Sequence, residues 1–194
     1  AMNQAASDGH RVLAMHVFEP GLLNHPTTSS RHVQFQWQCL EDIAGTFDQE
    51  AWPLSFVRLH APMLDVLDHL QAQIPIRSLH SHEEPGVAWT FDRDKAVSQW
   101  CKRHQVPWFE EPQLGVQRGR THRRGWVKTW HVNMARPLAH PDPKAFQHIT
   151  QGQSPTWRWP EAWRCESPPA VTHADDLAGA GPFQPGGERA GHKY

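Results

Sequence analysis

Residues 79–100, LHSHEEPGVAWTFDRDKAVSQW, decide the fold. A short apolar strand, Pro75 to Leu79, runs into a His/Glu-rich loop. The loop leads through Arg93-Asp94 into a helix from about Thr90 to His104, with Ala96, Val97 and Trp100 on one face. In an open parallel sheet, ligands sit beyond the carboxyl ends of the strands, so a polar loop at such an end is where recognition or chemistry is expected.

The same alternation of strand and helix extends outward on both sides. Val12 to Phe18 (VLAMHVF) is a near-continuous apolar run, as in a strand covered on both faces. Glu19-Pro20-Gly21 ends it. Ser29 or Ser30 caps a helix whose apolar positions Val33, Trp37, Leu40, Ile43 and Ala44 follow 3–4 spacing. Leu54 to Leu59 gives the next strand, and a helix with Pro62 at its first turn turns Leu64, Leu67 and Leu70 inward. Pro107 to Glu110 is a further strand, and His122 to Met134 a helix carrying Trp126 and Trp130 one turn apart. Crossovers of this length imply right-handed connections and a parallel sheet. The fold class is α/β, a Rossmann-like doubly wound parallel sheet. At the start, Ala1 to Ser7 is rich in helix formers and is followed by Asp8-Gly9, a helix stop. The chain thus begins inside a helix, with no strand before it. From Pro137 onward, nine prolines and six glycines fall in the last 58 residues, which marks an extended arm rather than regular elements.

Composition narrows the function. A length of 194 residues suits one ordinary domain plus a tail. The formal net charge of −1 gives no bulk sign of a nucleic-acid binder. No apolar run approaches the ~18 residues of a membrane span, and no signal-peptide pattern is present. Cys39, Cys101 and Cys165 are odd in number and far apart, which fits a reduced, cytoplasmic setting better than a disulfide framework. Ten tryptophans and fifteen histidines are many for this length, and a Trp-rich core with surface histidines accounts for most of them.

No nucleophile elbow, phosphate-cradling glycine loop or activated cysteine is found, so no catalytic residue is assigned. His80, His82, Glu83 and Glu84 are metal-ligating types, but no second His/Asp set stands at comparable strand ends, and no metal site is assigned. Asp92 and Asp94 suit a helix N-terminus, and Arg93-Asp94 opens its helix. Arg118, Arg120, Arg123, Arg124 and Lys128 form a basic cluster best read as a solvated face. Trp157, Trp159 and Trp163 are expected to pack the arm against the α/β domain.

Taken in order, these residues resemble the N-terminal α/β domain of the photolyase/cryptochrome family, in its bacterial FAD-binding branch. The likeness is carried by Val12 to Pro20, by Ser30-Arg31-His32 and Phe35, and most strongly by Ser81-His82-Glu83-Glu84, Gly86, Trp89-Thr90 and Arg93-Asp94. Trp100-Cys101, Trp108, Glu110, Gln113, Gly115-Val116, Arg118 and Gly125-Trp126 follow in family order, and Gln184-Pro185-Gly186-Gly187-Glu188 is similar to the entry into the family's helical domain. The resemblance implies an α/β domain over 1–136 and, over 137–194, an interdomain linker leading toward a FAD-binding helical domain. It further implies FAD in the intact protein and light-driven repair of pyrimidine dimers in DNA, or blue-light reception. This domain would serve as scaffold or antenna-chromophore carrier. Glu19, His82, Glu83 and Glu84 border the carboxyl edge of the sheet and are the candidate antenna contacts. Where folate-antenna members carry Asn-Glu this chain has Trp89-Thr90, which speaks against folate.

The family opens with a strand, carrying a Trp-Phe-x-Arg-Asp-Leu-Arg-like segment, that lies at the centre of its sheet and is not found here. Adjacent strands lie ~4.8 Å apart, so its loss leaves a gap that hydrogen bonds cannot cross. Two strand pairs with exposed edges are the expected result, and a chain truncated at both ends the expected cause. The other function classes are a stand-alone nucleotide- or flavin-binding module working with a partner and, last, a metal-dependent hydrolase.

Overall fold

The computed structural model describes residues 1–7, 11–52, 54–112, 118–119, 121–137, 141–144, 146, 158–171 and 184–192. Asp8-Gly9, Gln113, Gly115-Val116, Arg120 and Trp157, singled out above, lie outside them.

Four strands form: β1 (Leu13–Phe18), β2 (Ser55–His60), β3 (Leu79–His82) and β4 (Trp108–Glu111). β1 pairs in parallel with β2, from Leu13 opposite Ser55 to Phe18 opposite His60. β3 pairs in parallel with β4, from Leu79 opposite Trp108 to His82 opposite Glu111. No described strand joins the pairs, so the sheet is two parallel ribbons, as the sequence led us to expect.

Side-chain alternation places helices on both faces. Phe18 and Phe56 turn toward α3 (Ser30–Gln49), joining Val33, Trp37 and Leu40. Leu13, Met15, Val17, Val57 and Leu59 turn the other way, toward Val66 and Leu70 of α4 (Met63–Gln73). α5 (Ala88–His104) continues that layer, packing Val97 and Trp100 on Leu67, Leu79 and Trp108. Trp100 is fully buried and gives its indole N–H to Asp68 at 2.6 Å, so its one polar atom is satisfied. A short α1 (Met2–Ser7) lies beside β3 and sets Ala6 against Phe146. α2 (Pro20–Leu23) follows β1, with Gly21 so close to the Trp89 ring that a Cβ there would stand 2.6 Å from it.

Two boundaries and the burial of one residue differ from the sequence reading. β3 is Leu79–His82, not Pro75 to Leu79. Pro75 has no N–H to donate, and the Ile76 N–H goes to the Gln71 side chain at 2.8 Å, so neither serves a ladder. Ile74 and Ile76 bury as a connector beside α4 instead. The helix after β4, α6, is Trp126–Met134 rather than starting at His122, because Gly125 takes a left-handed turn (φ +77°) just before it. Ile43 of α3 is 43% exposed, lying off the stripe of Val33, Trp37 and Leu40.

The described parts of the arm pack back onto the domain. Trp159 and Trp163 join the α4 side of the core and flank His69 at 5.7 and 5.3 Å, as expected of the arm. Cys165 donates its N–H to the Arg58 carbonyl, and Leu59 bridges Arg164 in antiparallel fashion, so the outer edge of β2 is covered. Further on, four successive N–H groups reach α3: Gly186 to Gln38, Gly187 to the Cys39 sulfur, and Glu188 and Arg189 to Asp42. A Cβ on Gly186 would stand 2.3 Å from the Phe35 carbonyl, so only glycine fits this latch. Glu188 then opens α7 (Glu188–Gly191). No helix among the described residues is long and apolar enough to cross a membrane.

Candidate functional site

Parallel strands deliver their carboxyl ends to one side, and four acidic side chains gather there. Glu19 follows β1, Glu84 lies just past β3, Glu110 sits on β4, and Asp94 is on the second turn of α5. Two arginines hold them. Arg93 donates to Glu19 at 2.6 Å, to Asp94 at 2.8 Å and to Glu84 at 3.1 Å. Arg118 donates to Glu110 at 2.8 Å, to the Glu84 carbonyl and to Asp94. Glu19 is 5% exposed and also accepts the Met63 N–H at the start of α4. The network thus ties together β1, α4, α5, β3 and β4.

Its electrostatics are those of buried groups held by partners. Burial raises the Glu19 pKa, and the Arg93 charge only partly offsets that. Burial also raises Glu110 against the pull of Arg118. For Arg93, burial alone would lower the pKa, but Glu19, Asp94 and Glu84 more than compensate and keep the guanidinium charged. Cys101 and Cys165 are raised by burial, the wrong direction for a nucleophilic thiolate.

Behind this rim lies a cleft of about 440 Å³ between β1 and β3, a size within the range of small-molecule sites. Met15, Val17 and Phe18 form one wall, and Leu79, His80, Ser81 and His82 the other. Helix residues Val33 and Val97 close it from opposite sheet faces. His16 also lines it, edge-on to Phe18 at 4.5 Å, and burial lowers its pKa to about 4.

Of the expected antenna residues, Glu19, His82 and Glu84 border this cleft, Glu19 and Glu84 joined through Arg93. Glu83 is not among its lining residues, and its backbone N–H continues the ladder to the Glu111 carbonyl. His80 stacks on Phe109 at 5.0 Å and bonds Ser78, so it does not converge with His82 on a common point. Among the described residues no group of three or more His, Cys, Asp or Glu has metal-ligand geometry. Two assignments from sequence are corrected. Arg93-Asp94 does not open its helix: α5 begins at Ala88, and the pair is the hub of the ion network. Arg118 is not part of a solvated basic face but is paired with Glu110 and Asp94, whereas Arg123, Arg124 and Lys128 are exposed. An Arg-Asp doublet after a Glu-rich strand end was the available signal for this hub.

Comparisons with known proteins agree with this layout. The family model described as DNA photolyase matches residues 1–116. No curated protein sequence matches the chain. Among solved structures, an archaeal photolyase from Sulfolobus tokodaii, described as holding two FAD molecules with implication of a novel light-harvesting cofactor, superposes with a TM-score of 0.52 at 15% identity. The match covers 72% of this chain and 32% of that one, so the chain spans about a third of that photolyase.

Proposed function

The chain belongs to the DNA photolyase family, and from that membership we propose that it is the α/β scaffold of a photolyase- or cryptochrome-type flavoprotein, carrying the antenna chromophore at its sheet edge. In this reading a FAD-binding helical domain, reached through residues 137–194, performs light-driven repair of pyrimidine dimers in DNA or blue-light reception in the cytoplasm. The FAD that drives the chemistry belongs to that domain, and no residue of this chain is assigned a role toward that molecule; the antenna site is a separate one, for which FAD serves only as the probe.

The observation that carries the antenna role is the cleft behind Glu19, Glu84 and Asp94, with walls that mix apolar side chains (Met15, Val17, Phe18, Leu79) with the imidazoles of His16 and His80 and a polar mouth, which suits a flat aromatic chromophore. Its residues divide the work. Glu19, buried and committed to Arg93 and Met63, braces the rim. His82 and Glu84, exposed at the mouth, are the groups placed to touch a chromophore's polar edge. Glu83 is the weakest of the four candidates, since it lies off the cleft lining. A chromophore held there would absorb light and pass the excitation on. These side chains only bind and orient it.

The test is the near-ultraviolet and blue absorption of the purified chain, before and after incubation with FAD and gel filtration. A retained band that is lost in His82→Ala and Glu84→Ala is expected. A spectrum of protein alone, with no FAD retained, overturns the antenna role.

A further inference from the structure

The edge of β4 that faces away from β3 is defined residue by residue. In a parallel pair a residue bonds the two neighbours of the residue opposite it, so the register fixes which peptide groups serve the ladder. Leu79 stands opposite Trp108, the Leu79 N–H goes to the Pro107 carbonyl, and the Glu83 N–H goes to Glu111. Pro107, Phe109 and Glu111 therefore serve β3, and Trp108 and Glu110 turn their N–H and C=O groups outward. Among the described residues nothing bonds those outward groups. A groove of about 510 Å³ runs beside this edge, with Ser98 and Lys102 of α5 on one side and Val106, Trp108 and Glu110 on the other. The edge carries opposite charge at its two ends. At its amino end stands the last turn of α5, with Lys102, Arg103 and His104, folded close to the strand by the bond from the Val106 N–H to the Cys101 carbonyl. Lys102 and Arg103 are exposed and make no ion pair with the described residues. At the carboxyl end Glu84, Asp92, Asp94, Glu110 and Glu111 outnumber Arg93, Lys95 and Arg118.

We propose that this edge is a homodimer interface: β4 pairs antiparallel with β4 of a second copy of this chain, across a two-fold axis at Phe109. A two-fold contact needs a patch that is complementary to itself, and this edge is one. Pairing about Phe109 sets Trp108 of each copy opposite Glu110 of the other, where two residues exchange N–H···O bonds. Every outward peptide group of both copies is then bonded. Phe109, 39% exposed, falls opposite its own counterpart at the non-bonded position and gains an aromatic cross-strand partner. The same rotation brings the basic turn of each α5 to the acidic end of the other copy's edge, whereas a parallel neighbour would set acid against acid. Charge thus selects both the partner and its direction. Both α5 helices lie on one face of the joined sheet, so the grooves beside the two edges close on each other. The proposal is independent of the chromophore reading, because β3 stands between this edge and the cleft.

Sedimentation equilibrium of the full chain is expected to show a reversible monomer–dimer equilibrium. Lys102→Glu together with Arg103→Glu, both at exposed positions, leaves acid at both ends of the edge and should weaken association at least tenfold. Phe109→Cys tests the register. Residues opposite each other at a non-bonded antiparallel position have Cα atoms ~4.5 Å apart, within the span of a disulfide. With oxidised glutathione that variant should form a covalent dimer, and the parent, with Cys39, Cys101 and Cys165, sets the background. Glu111→Cys should not crosslink, because its two copies would stand ~13 Å apart along the strands. If Phe109→Cys does not fold, the charge-reversed variant decides by sedimentation. A chain that stays monomeric up to ~1 mM, a dimer that the charge reversal leaves intact, or crosslinking of Glu111→Cys as ready as that of Phe109→Cys overturns the proposal.

Discussion

Acidification should weaken this fold through one side chain, His16. It sits in β1, lines the cleft and is kept neutral by burial, with its pKa lowered from 6.5 to about 4. In the unfolded chain the imidazole titrates near its ordinary value, so between those two values the unfolded state binds more protons than the folded one. Stability from this group is therefore complete above about pH 6.5 and is lost as the pH falls toward 4. At ~1.36 kcal/mol per unit, the loss at pH 4 is about 3 kcal/mol, a large share of a typical 5–15 kcal/mol. Glu19 and Glu110 act with the opposite sign, since their raised values mean that protonation relieves a buried charge as the pH falls. Comparing the protein with His16→Leu separates the contributions, because only the histidine term changes. Urea unfolding of both proteins at pH 7 and pH 4 is the assay. The parent should lose about 3 kcal/mol more than the variant over that interval. Parallel pH profiles for the two would refute the reasoning.

Two further outcomes follow from the rim and the arm. Arg93→Met leaves the buried Glu19 without its cation and should destabilise by about 3 kcal/mol in urea unfolding, while Arg93→Lys, a point charge in place of a fork, should recover only part of that. Gly186→Ala drives a Cβ into the Phe35 carbonyl and should free residues 184–192 from α3, seen as faster amide exchange there with the core melting point little changed.

Apolar runs located β1 and β2 to within a residue because those strands carry mostly core-packed side chains, and the short Pro107-Trp108-Phe109 run located β4 as closely although only its Trp108 packs in the core. β3 was displaced because its most apolar neighbours, Ile74 and Ile76, are connector residues. The strand proper, Leu79–His82, is half polar, and its position is set by pairing with β4, a long-range fact that local composition does not carry. The candidate rim was legible as a place, since Glu19, His82 and Glu84 do border one cleft. Its hub was not. Arg93 and Arg118 are 25 positions apart, and nothing in a linear reading says that both reach Asp94. The Gly186-Gly187 latch was visible only as a doublet, because its partners on α3 are distant in sequence.

Asp94 has a consequence for how this sequence can change. It is the shared anion of two guanidiniums, with one oxygen toward Arg93 and the other toward Arg118. Residues that share a partner do not contribute independently. Replacing either arginine alone strands negative charge that the other must neutralise, whereas replacing all three positions by neutral groups of similar volume removes the mismatch. Homologues should therefore keep or lose 93, 94 and 118 as a set, and a lone exchange at any one of them should be rare.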